Sequence, residues 1–394
     1  MKRYIILAAS LVAMSAMAQS PIDNILQSVA ENNNSIKATQ QDVSAAQTEL
    51  SAENCLENTS FEFEYLWAEK QVPGGNKYGF SIMQGFDFPT VYGQRRNLIN
   101  AQNALGTSQI NYVRQSVLLD ARNLYIKIVY LNKQIEIVTE REYIACSLVD
   151  MYKTRLDAGD ASRLDVNKVE IERLSQSSRL KMLINERNAA IADLVACNGG
   201  KVLPINATEI AHYPLIAMPT SLDEVTAQWQ EADANINMLR KQQQVAESFT
   251  AVSKEGWIPK FELGYKQAYE VGDMFYGLAV GVSLPLFKTS NEVKTAQARA
   301  LSLSLQNEVA NAELTAEVSQ LYNEATTLKD ALDDYTLLSE QNNRDMLLKA
   351  LEAGQISLIE YMSDIAQLNE AEENRLMLEY QYYLALSNLD RNNL

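Results

Sequence analysis

The chain is poor in histidine, cysteine, glycine and proline. One histidine among 394 residues, His212, leaves no room for a multi-histidine metal site and little for histidine-based catalysis. Three cysteines, Cys55, Cys146 and Cys197, are too few and too scattered for a disulfide framework or a zinc site. With no Ser/His/Asp set and no phosphate-binding loop, the sequence predicts a protein that is not an enzyme and holds no metal or cofactor.

Positive charge is also in the minority. The chain has 34 Lys and Arg against 50 Asp and Glu, and its formal net charge is −16. Nucleic-acid binding needs clustered cations, so no nucleic-acid partner is expected. The adjacent pairs Asp333-Asp334 and Glu372-Glu373 point to different sides of a helix, which argues against a joint catalytic role. After the N-terminus no apolar run approaches the roughly 18 residues of a membrane-spanning helix.

The N-terminus has the pattern of an export signal. Lys2 and Arg3 form a basic start, and residues 4–13 are mostly apolar. Ala16-Met17-Ala18 fits the small-x-small rule for cleavage, which predicts a signal peptide over 1–18. Export combined with so few cysteines favours the envelope of a Gram-negative cell over a disulfide-rich secreted protein.

The remainder of the chain repeats one plan twice. Landmarks recur roughly 200 residues apart, among them Phe61-Glu62 with Phe261-Glu262, Tyr78-Gly79 with Tyr276-Gly277, and 156–159 with 351–354. Chance similarity between two helical halves would not keep strand, turn and glycine landmarks in the same order. We therefore expect a first repeat over 19–198, a linker over 199–220 and a second repeat over 221–394.

Exceptionally long helices are predicted from four tracts that contain no glycine or proline, at 107–158, 160–198, 291–353 and 355–394. The predicted long helices cover about 94–157, 162–197, 291–352 and 357–390. Within the first, Leu124, Ile128, Leu131 and Ile135 continue a stripe that alternates steps of four and three, the spacing of a coiled coil. Helices of this length cannot fold back into a compact globule, so we expect a rod, a bundle or a wall.

Between the helices lie four segments that alternate apolar and polar residues, predicted as strands over about 60–68, 78–88, 259–268 and 275–286. Each has the length that a tilted strand needs to cross a bilayer, and aromatic residues are frequent near their ends. The predicted lipid-facing residues are Phe61, Phe63, Tyr65, Phe80, Ile82, Phe86, Phe261, Leu263, Leu278, Val280 and Val282. Half-buried soluble hairpins give the same alternation and are the alternative. Four strands cannot close a membrane barrel, so a barrel would be shared between chains.

This organisation resembles the TolC-like outer-membrane efflux family over essentially the whole mature chain. The resemblance is carried by the duplicated plan, by the strand exits Phe88-Pro89 and Leu284-Pro285, and by the two helical tips at 155–162 and 351–357. It implies a mainly α fold with a small β part, assembled as a homotrimer. Twelve strands would form one transmembrane β-barrel in outer-membrane lipid, continued by a periplasmic α-barrel of twelve helices.

The resemblance also implies functional residues. An acid shortly after the second tip glycine narrows the tunnel mouth in the family, and Glu360 falls on that position, with Asp165 as its counterpart in the first repeat. The chain has Ser363 where the family has a second acid, and Asp364 is its neighbour. The residues expected to contact an adaptor protein at the tips are Arg155, Leu156, Gly159, Ser162, Leu351, Gly354 and Ser357. An ordinary solvated charge at Glu360, and helix-end roles for Arg155 and Ser162, are the alternatives.

The function expected from the resemblance is an exit duct that passively conducts small molecules or ions. Its partners would be a periplasmic adaptor (membrane fusion) protein and an inner-membrane pump of the resistance-nodulation-division or ABC type. A duct for type I protein secretion is the alternative within the family. A periplasmic adaptor or a coiled-coil scaffold is the alternative outside it.

Overall fold

The computed structural model describes residues 21–69, 75–270, 272–285, 289–339 and 343–394. The predicted signal peptide over 1–18 lies outside these residues. So do the last residue of the predicted fourth strand, part of the loop between the first two strands, and positions 340–342 of the predicted helix over 291–352.

The two halves of the chain contain their helices and strands in a similar order. The first half contains α1 (Pro21–Asn32), α2 (Asn34–Glu53), β1 (Ser60–Leu66), β2 (Lys77–Phe86), α3 (Pro89–Asp157) and α4 (Arg163–Cys197). The second half contains α5 (Leu222–Ala232), α6 (Ala234–Glu255), β3 (Lys260–Glu270), β4 (Asp273–Ser283), α7 (Thr289–Ser339), α8 (Asn343–Glu352) and α9 (Leu358–Leu389). A short 3₁₀ helix, Ala207–Glu209, lies in the linker between them.

The helical segment before the strands of each half is broken into two helices, although it contains no glycine or proline at the break. The break lies at Asn33 in the first half and at Asp233 in the second. Each side chain accepts hydrogen bonds from the two backbone N–H groups that open the next helix, with N···O distances of 2.8–3.1 Å. Asn and Asp are strong N-caps, so one helix ends and another begins without a glycine or a proline.

The four strands form one antiparallel sheet in the order β1–β2–β3–β4. β1 ends at Leu66, two residues before the predicted end, where the N–H of Ala68 turns to the side chain of Asn76. Strand β2 leads directly into α3, whose first residue is Pro89, a position where the missing N–H costs nothing. Among the described residues, β1 and β4 each pair along one side only, so the sheet has two open edges.

The helices pack side by side into a wall. Next to the sheet, α3 contacts α2 on one side and α6 on the other, and α6 in turn contacts α7. Further from the sheet, α3 packs against α4 and α9, and α9 against α7 and α8. Three apolar clusters hold these contacts, centred on Leu131, on Tyr361 and on Trp229. Within the described part of the chain, no helix combines the length and apolarity needed to cross a membrane.

The linker between the repeats packs along the wall rather than looping free of it. The side chain of Asn132 donates to the carbonyl of Ile210 at 2.8 Å. The hydroxyl of Tyr125 donates to the carbonyl of His212 at 3.2 Å. The ring of Tyr213 stacks on Tyr383 with centroids 4.2 Å apart. The linker therefore ties α3 to α9, joining the two repeats at mid-length.

Candidate functional site: a two-faced sheet and two helical tips

All the residues predicted to face lipid lie on one face of the sheet. The register places Phe61 opposite Ile82, Ile82 opposite Tyr265 and Tyr265 opposite Leu278, and the other rows follow the same rule. Most of these side chains are exposed, with Leu278 at 83% and Val280 at 73%, while Phe80, Phe86 and Phe261 are half-buried. We call this the apolar face. Its contact with lipid stays a prediction.

Aromatic side chains gather at both ends of the apolar face. At the loop end, Tyr78 stacks on Tyr65 and on Tyr269, with ring centroids 6.5 and 4.9 Å apart. At the helix end, Phe86 stacks on Phe261 at 6.0 Å. Between them lie mainly aliphatic and aromatic side chains, together with Gln84 and Gln267, which the register places on the same face.

The opposite face of the sheet carries charges separated by small residues. In one row Glu62 lies opposite Ser81, Ser81 opposite Lys266, and Lys266 opposite Gly277. Small neighbours leave room for the long charged side chains to lie along the sheet. We call this the polar face. Leu66, Met83 and Phe275 also lie on this face, so the contrast between the two faces is one of majority.

Two ion pairs lie where the sheet meets the helices. The carboxylate of Asp87, whose side chain is 7% exposed, pairs with Arg95 at 2.7 Å just inside α3. At the same end of the sheet, Lys260 of β3 pairs at 2.6 Å with Glu57, which lies in the segment between α2 and β1. The strands therefore continue into the helical wall with a defined orientation.

The two helical hairpins turn at their tips in the same way. Gly159 and Gly354 have φ of 81° and 69°, the left-handed region that residues with a side chain avoid. The N–H of Asp160 donates to Arg155 at 2.7 Å, and that of Gln355 donates to Ala350 at 2.9 Å. These bonds, six residues to one, form the glycine C-cap that ends α3 and α8.

The helix after each turn opens with a capping box. Ser162 accepts from the N–H of Asp165 at 3.2 Å, while Asp165 accepts from the N–H of Ser162 at 3.1 Å. Ser357 and Glu360 repeat this exchange at 3.2 and 2.8 Å. Hydrogen bonds from the Ser162 side chain and backbone lower the pKa of Asp165, and those from the Ser357 backbone and side chain lower the pKa of Glu360. Both carboxylates are therefore charged at neutral pH.

The tips of the two hairpins pack against each other in one apolar cluster. Tyr152 and Val166 of the first hairpin join Leu351 and Tyr361 of the second. Leu351 is 1% exposed, and Leu156 is packed against the same cluster, so these two predicted contact residues support the tips from inside. Arg155 lies over the ring of Tyr152 and donates to the carbonyl of Glu352 at 3.3 Å, which bridges the tips.

The exposed apolar residues of the tips are ones that sequence reasoning missed. Leu164 is 70% exposed and Ile359 is 65% exposed, and each is the second residue after its capping serine. Their equivalence in the two repeats was the available signal. Asp364 lies one helical turn from Glu360, on the same side of α9. Glu360 and Asp165 are each held by the capping serine of their own helix.

An arginine network binds the two hairpins further along their length. Arg141 of α3, with its side chain 4% exposed, pairs with Glu372 at 2.9 Å and with Glu373 at 2.6 Å. Arg344 of α8 reaches Glu372 at 2.7 Å, and Arg179 of α4 reaches Glu373 at 2.7 Å. Glu372 and Glu373 therefore both bind the guanidinium of Arg141. The prediction that these neighbouring side chains point to different sides of the helix and share no partner was wrong.

The network fixes the ionisation of its acids. Burial raises the pKa of Glu372, but hydrogen bonds from Arg141 and Arg344 outweigh it and hold that pKa below its usual range. The arrangement is one of structural ion pairs. In the part of the chain that the structure describes, no group of three or more His, Cys, Asp or Glu residues is placed to hold a metal ion.

Solved outer-membrane proteins share this fold. The outer-membrane channel OprN matches with a TM-score of 0.78 at 11% identity, covering 94% of this chain and 89% of that one. A membrane protein from Pseudomonas aeruginosa matches with a TM-score of 0.78 at 14% identity, covering 99% and 96%. The outer membrane protein VceC from Vibrio cholerae matches with a TM-score of 0.74 at 13% identity, covering 94% of each chain.

The predicted resemblance to TolC-like outer-membrane proteins is therefore confirmed at the level of the fold. No protein-family model and no curated protein matches the sequence. The fold is mostly helical with a small antiparallel sheet, as expected.

Proposed function

We propose that this chain is one third of an outer-membrane exit duct, which conducts small molecules or ions passively from the periplasm to the outside. The observation that carries the proposal is the sheet, apolar and exposed on one face, charged on the other, and open at both edges. Apolar surface of this extent on a monomer marks contact with lipid or with another protein. The fold of the outer-membrane channels compared above supports the same reading.

The dimensions of the apolar face suit an outer membrane. Eight residues separate the tyrosine row at Tyr78 from the phenylalanine row at Phe86, which is roughly 26 Å along the strand. The apolar band of a membrane barrel is about 25 Å tall, with aromatic girdles at both limits. Because barrel strands are tilted, the distance between the two rows along the membrane normal is shorter than this. The side chains of the two rows add to the height that the apolar face covers.

A homotrimer follows from the open edges. Lipid does not tolerate unpaired backbone N–H and C=O groups, so β1 and β4 must find partners in other copies. Three chains of four strands give the twelve-stranded barrel of the resemblance. The polar face would line its lumen, and the helical wall would continue the duct into the periplasm.

The duct needs partners because nothing in the proposed mechanism supplies energy. A periplasmic adaptor protein would dock at the helical tips, and an inner-membrane pump would deliver the cargo. Opening the tunnel mouth would require a partner that binds the open state more tightly. Within each chain the tip cluster and the Arg141 network hold the two hairpins together, so these are contacts that such a partner would have to rearrange.

The membrane assignment is tested by two neighbouring residues on β4. Leu278→Arg places a charge on the apolar face, where near mid-bilayer it costs roughly 2–4 kcal/mol. Gly277→Arg is the matched control, because Gly277 points to the polar face and has no atom within 4 Å of an added Cβ. We expect Leu278→Arg to deplete the protein from outer-membrane fractions and Gly277→Arg to leave it there. Equal depletion would contradict the membrane assignment.

The tunnel mouth is tested at Glu360. We propose that this residue, repeated once per copy, rings the mouth together with Asp165 or Asp364, and attracts cations. Glu360→Gln removes the charge and keeps the capping box, because Gln serves equally well at that position. The expected result in planar bilayers is lower cation selectivity and weaker block by divalent cations. Unchanged selectivity and block would place the constriction elsewhere.

A further inference from the structure

A small cavity lies between the two helical hairpins, where the tip cluster meets the Arg141 network. Helices α3 and α4 of the first hairpin and α8 and α9 of the second all contribute to its lining. Its volume is about 60 Å³, and it reaches the surface beside Ala366, an exposed residue that lines it. A water molecule takes about 30 Å³ of the liquid, so the cavity suits an occupant only somewhat larger than water and excludes a drug-sized molecule.

One part of the lining is apolar. Leu148, Val169 and Ile365 are buried members of the tip cluster, and the methyl group of the buried Ala145 lies beside them. A surface of this kind gains free energy by covering methyl or methylene groups and offers no hydrogen bonds. The occupant therefore has an apolar part, however small.

Two neighbouring arginines make another part of the lining rich in hydrogen-bond donors. Arg141 and Arg344 both donate to Oε2 of Glu372, at 2.9 and 2.7 Å, so their guanidinium groups lie close together. The side chain of Arg141 is 4% exposed, yet its Nε is buried and has no acceptor among the described residues. Leaving a buried N–H without a partner is costly, so this part of the cavity favours a ligand that supplies an acceptor. A carboxylate matches neighbouring guanidinium groups best.

The lining also contains a carboxylate without an ion-pair partner. Glu172 of α4 accepts a hydrogen bond from Gln176 at 2.7 Å, and within the described part of the chain no Lys or Arg pairs with it. The acids of the neighbouring network, Glu372 and Glu373, are both paired with Arg141. A simple carboxylic acid would be repelled by Glu172, and a simple amine would be repelled by the arginines. A ligand that carries both charges matches both parts of the lining.

We infer that this cavity binds a small zwitterionic amino acid, of the size of glycine or alanine. The ligand's carboxylate accepts from Arg141 and Arg344, and its ammonium group pairs with Glu172. The methyl group of alanine lies against the apolar part of the lining. Amino acids with longer side chains exceed the volume of the cavity.

The site depends on the packing of the two hairpins, because each hairpin contributes part of the lining. A ligand that binds only the packed arrangement shifts the equilibrium towards it. In the proposed duct, a bound amino acid would therefore oppose opening at the tunnel mouth. This consequence rests on the proposed function, whereas the binding itself does not.

Ligand-observed NMR tests the binding with the full-length protein in mild detergent. The measurement is saturation transfer from the protein to the methyl group of L-alanine. Propionate and ethylamine are matched probes, since each keeps the methyl group and one of the two charges, and leucine keeps both charges but is too large. We expect transfer to alanine that glycine competes away, and far less transfer to the other three probes. Equal transfer to propionate, ethylamine or leucine would overturn the inference.

Two pairs of variants locate the site. Glu172→Gln removes the charge and keeps an acceptor for Gln176, and it should weaken alanine binding by roughly tenfold. Glu170→Gln is its control on the same helix, because Glu170 pairs with Lys153 outside the cavity, and it should leave binding unchanged.

The second pair tests access to the cavity. Ala366→Leu narrows the opening and should abolish the transfer to alanine, whereas Ala192→Leu, at an exposed position near the end of α4, should not. Binding that survives both Glu172→Gln and Ala366→Leu would overturn the inference.

Planar-bilayer recordings separate this inference from the proposed function. Alanine should lower the open fraction of the wild-type duct and leave that of Glu172→Gln unchanged. Alanine binding without any change in current would uphold the site and overturn its effect on the duct. A protein that binds alanine but forms no channel would uphold the site and overturn the proposed function.

Discussion

Asn33 and Asp233 begin equivalent helices in the two repeats, and each accepts hydrogen bonds from two backbone N–H groups. Both residues are N-caps, but their other hydrogen-bond partners differ. The amide of Asn33 also donates to the carbonyl of Cys197 at 2.8 Å, which ties α2 to the end of α4 without charge. The carboxylate of Asp233 accepts instead from Arg391, with N···O distances of 2.8 and 3.2 Å.

The contacts around Asp233 involve more side chains than those around Asn33. Arg391 also pairs with Glu317 at 2.7 Å and lies 3.9 Å from the ring centroid of Trp229. Trp229 in turn donates to the carbonyl of Leu389 at 3.0 Å, where the first repeat has Val29. The two halves thus share a cap at this point, and their side chains differ where each half meets a different neighbour.

The largest difference between the repeats is expected at these two caps. Asp233→Ala removes a cap and also unpairs Arg391 from a carboxylate that is 1% exposed, which should cost about 3 kcal/mol of unfolding free energy. Asn33→Ala removes a cap and one neutral hydrogen bond, which should cost about 1–2 kcal/mol. Denaturant unfolding of the two variants measures both.

A matched variant separates the cap from the charge. Asp233→Asn keeps a strong N-cap and removes the carboxylate, so its loss should fall between those of the two alanine variants. Equal losses of stability in Asp233→Ala and Asn33→Ala would show that the ion pair between Asp233 and Arg391 contributes nothing. The proposed difference between the two caps would then be wrong.

The next effect should be equal in the two repeats. Gly159→Ala and Gly354→Ala each force a side chain into the left-handed region, which should cost about 1–2 kcal/mol. Gly93→Ala is the control, since Gly93 lies inside α3 with open space around an added Cβ and should gain about 0.5–1 kcal/mol. Thermal unfolding of the three variants tests this, and a loss at only one tip would show that the tips are not equivalent.

A smaller and again equal effect is expected at the capping serines. Ser162→Ala and Ser357→Ala each leave one helix-opening N–H without its acceptor, which should cost about 1 kcal/mol. Ser→Gly at the same positions should cost only a few tenths of a kcal/mol. Hydrogen exchange of the first-turn amides after each serine is the local measurement, and unchanged exchange rates would rule out the capping role.

The smallest effect is a pH dependence at the tips. The pKa of Glu360 is lowered by its cap, from an ordinary value of 4.5, so its contribution is complete above that value. The contribution is lost as the pH falls through the lowered folded pKa. The pKa of Asp165 is likewise lowered from an ordinary value of 3.8, so its contribution is also lost as the pH falls through the lowered pKa. Thermal melts between pH 3 and 7 should show a shallower acid loss for Glu360→Gln than for the wild type, whereas identical curves would contradict this.

Much of the fold could be predicted because its signals are local. Alternation at period two set the faces of the strands, and glycine and proline marked the turns. Asn33 and Asp233 were missed because a polar cap inside a breaker-free tract resembles any surface residue. The Arg141 network was missed because its partners are far apart in sequence and meet only when four helices pack.

The candidate site also has a part that local sequence signals predict and a part that they do not. The apolar face of the sheet follows from residues two apart, and all its predicted members lie together. The tips needed packing information: Leu351 looked like part of an exposed motif but is buried, while Leu164 and Ile359 are exposed. Which surfaces would meet another copy depends on contacts that a single chain does not make.

The central claim is that three copies of this chain close a lipid-embedded duct. Cryo-electron microscopy of the full-length protein in lipid nanodiscs tests it most directly. The account predicts a threefold ring with twelve strands in the bilayer, the apolar face outward, and a helical tube extending from one side. Monomers, or rings whose sheet lies outside the bilayer, would contradict it.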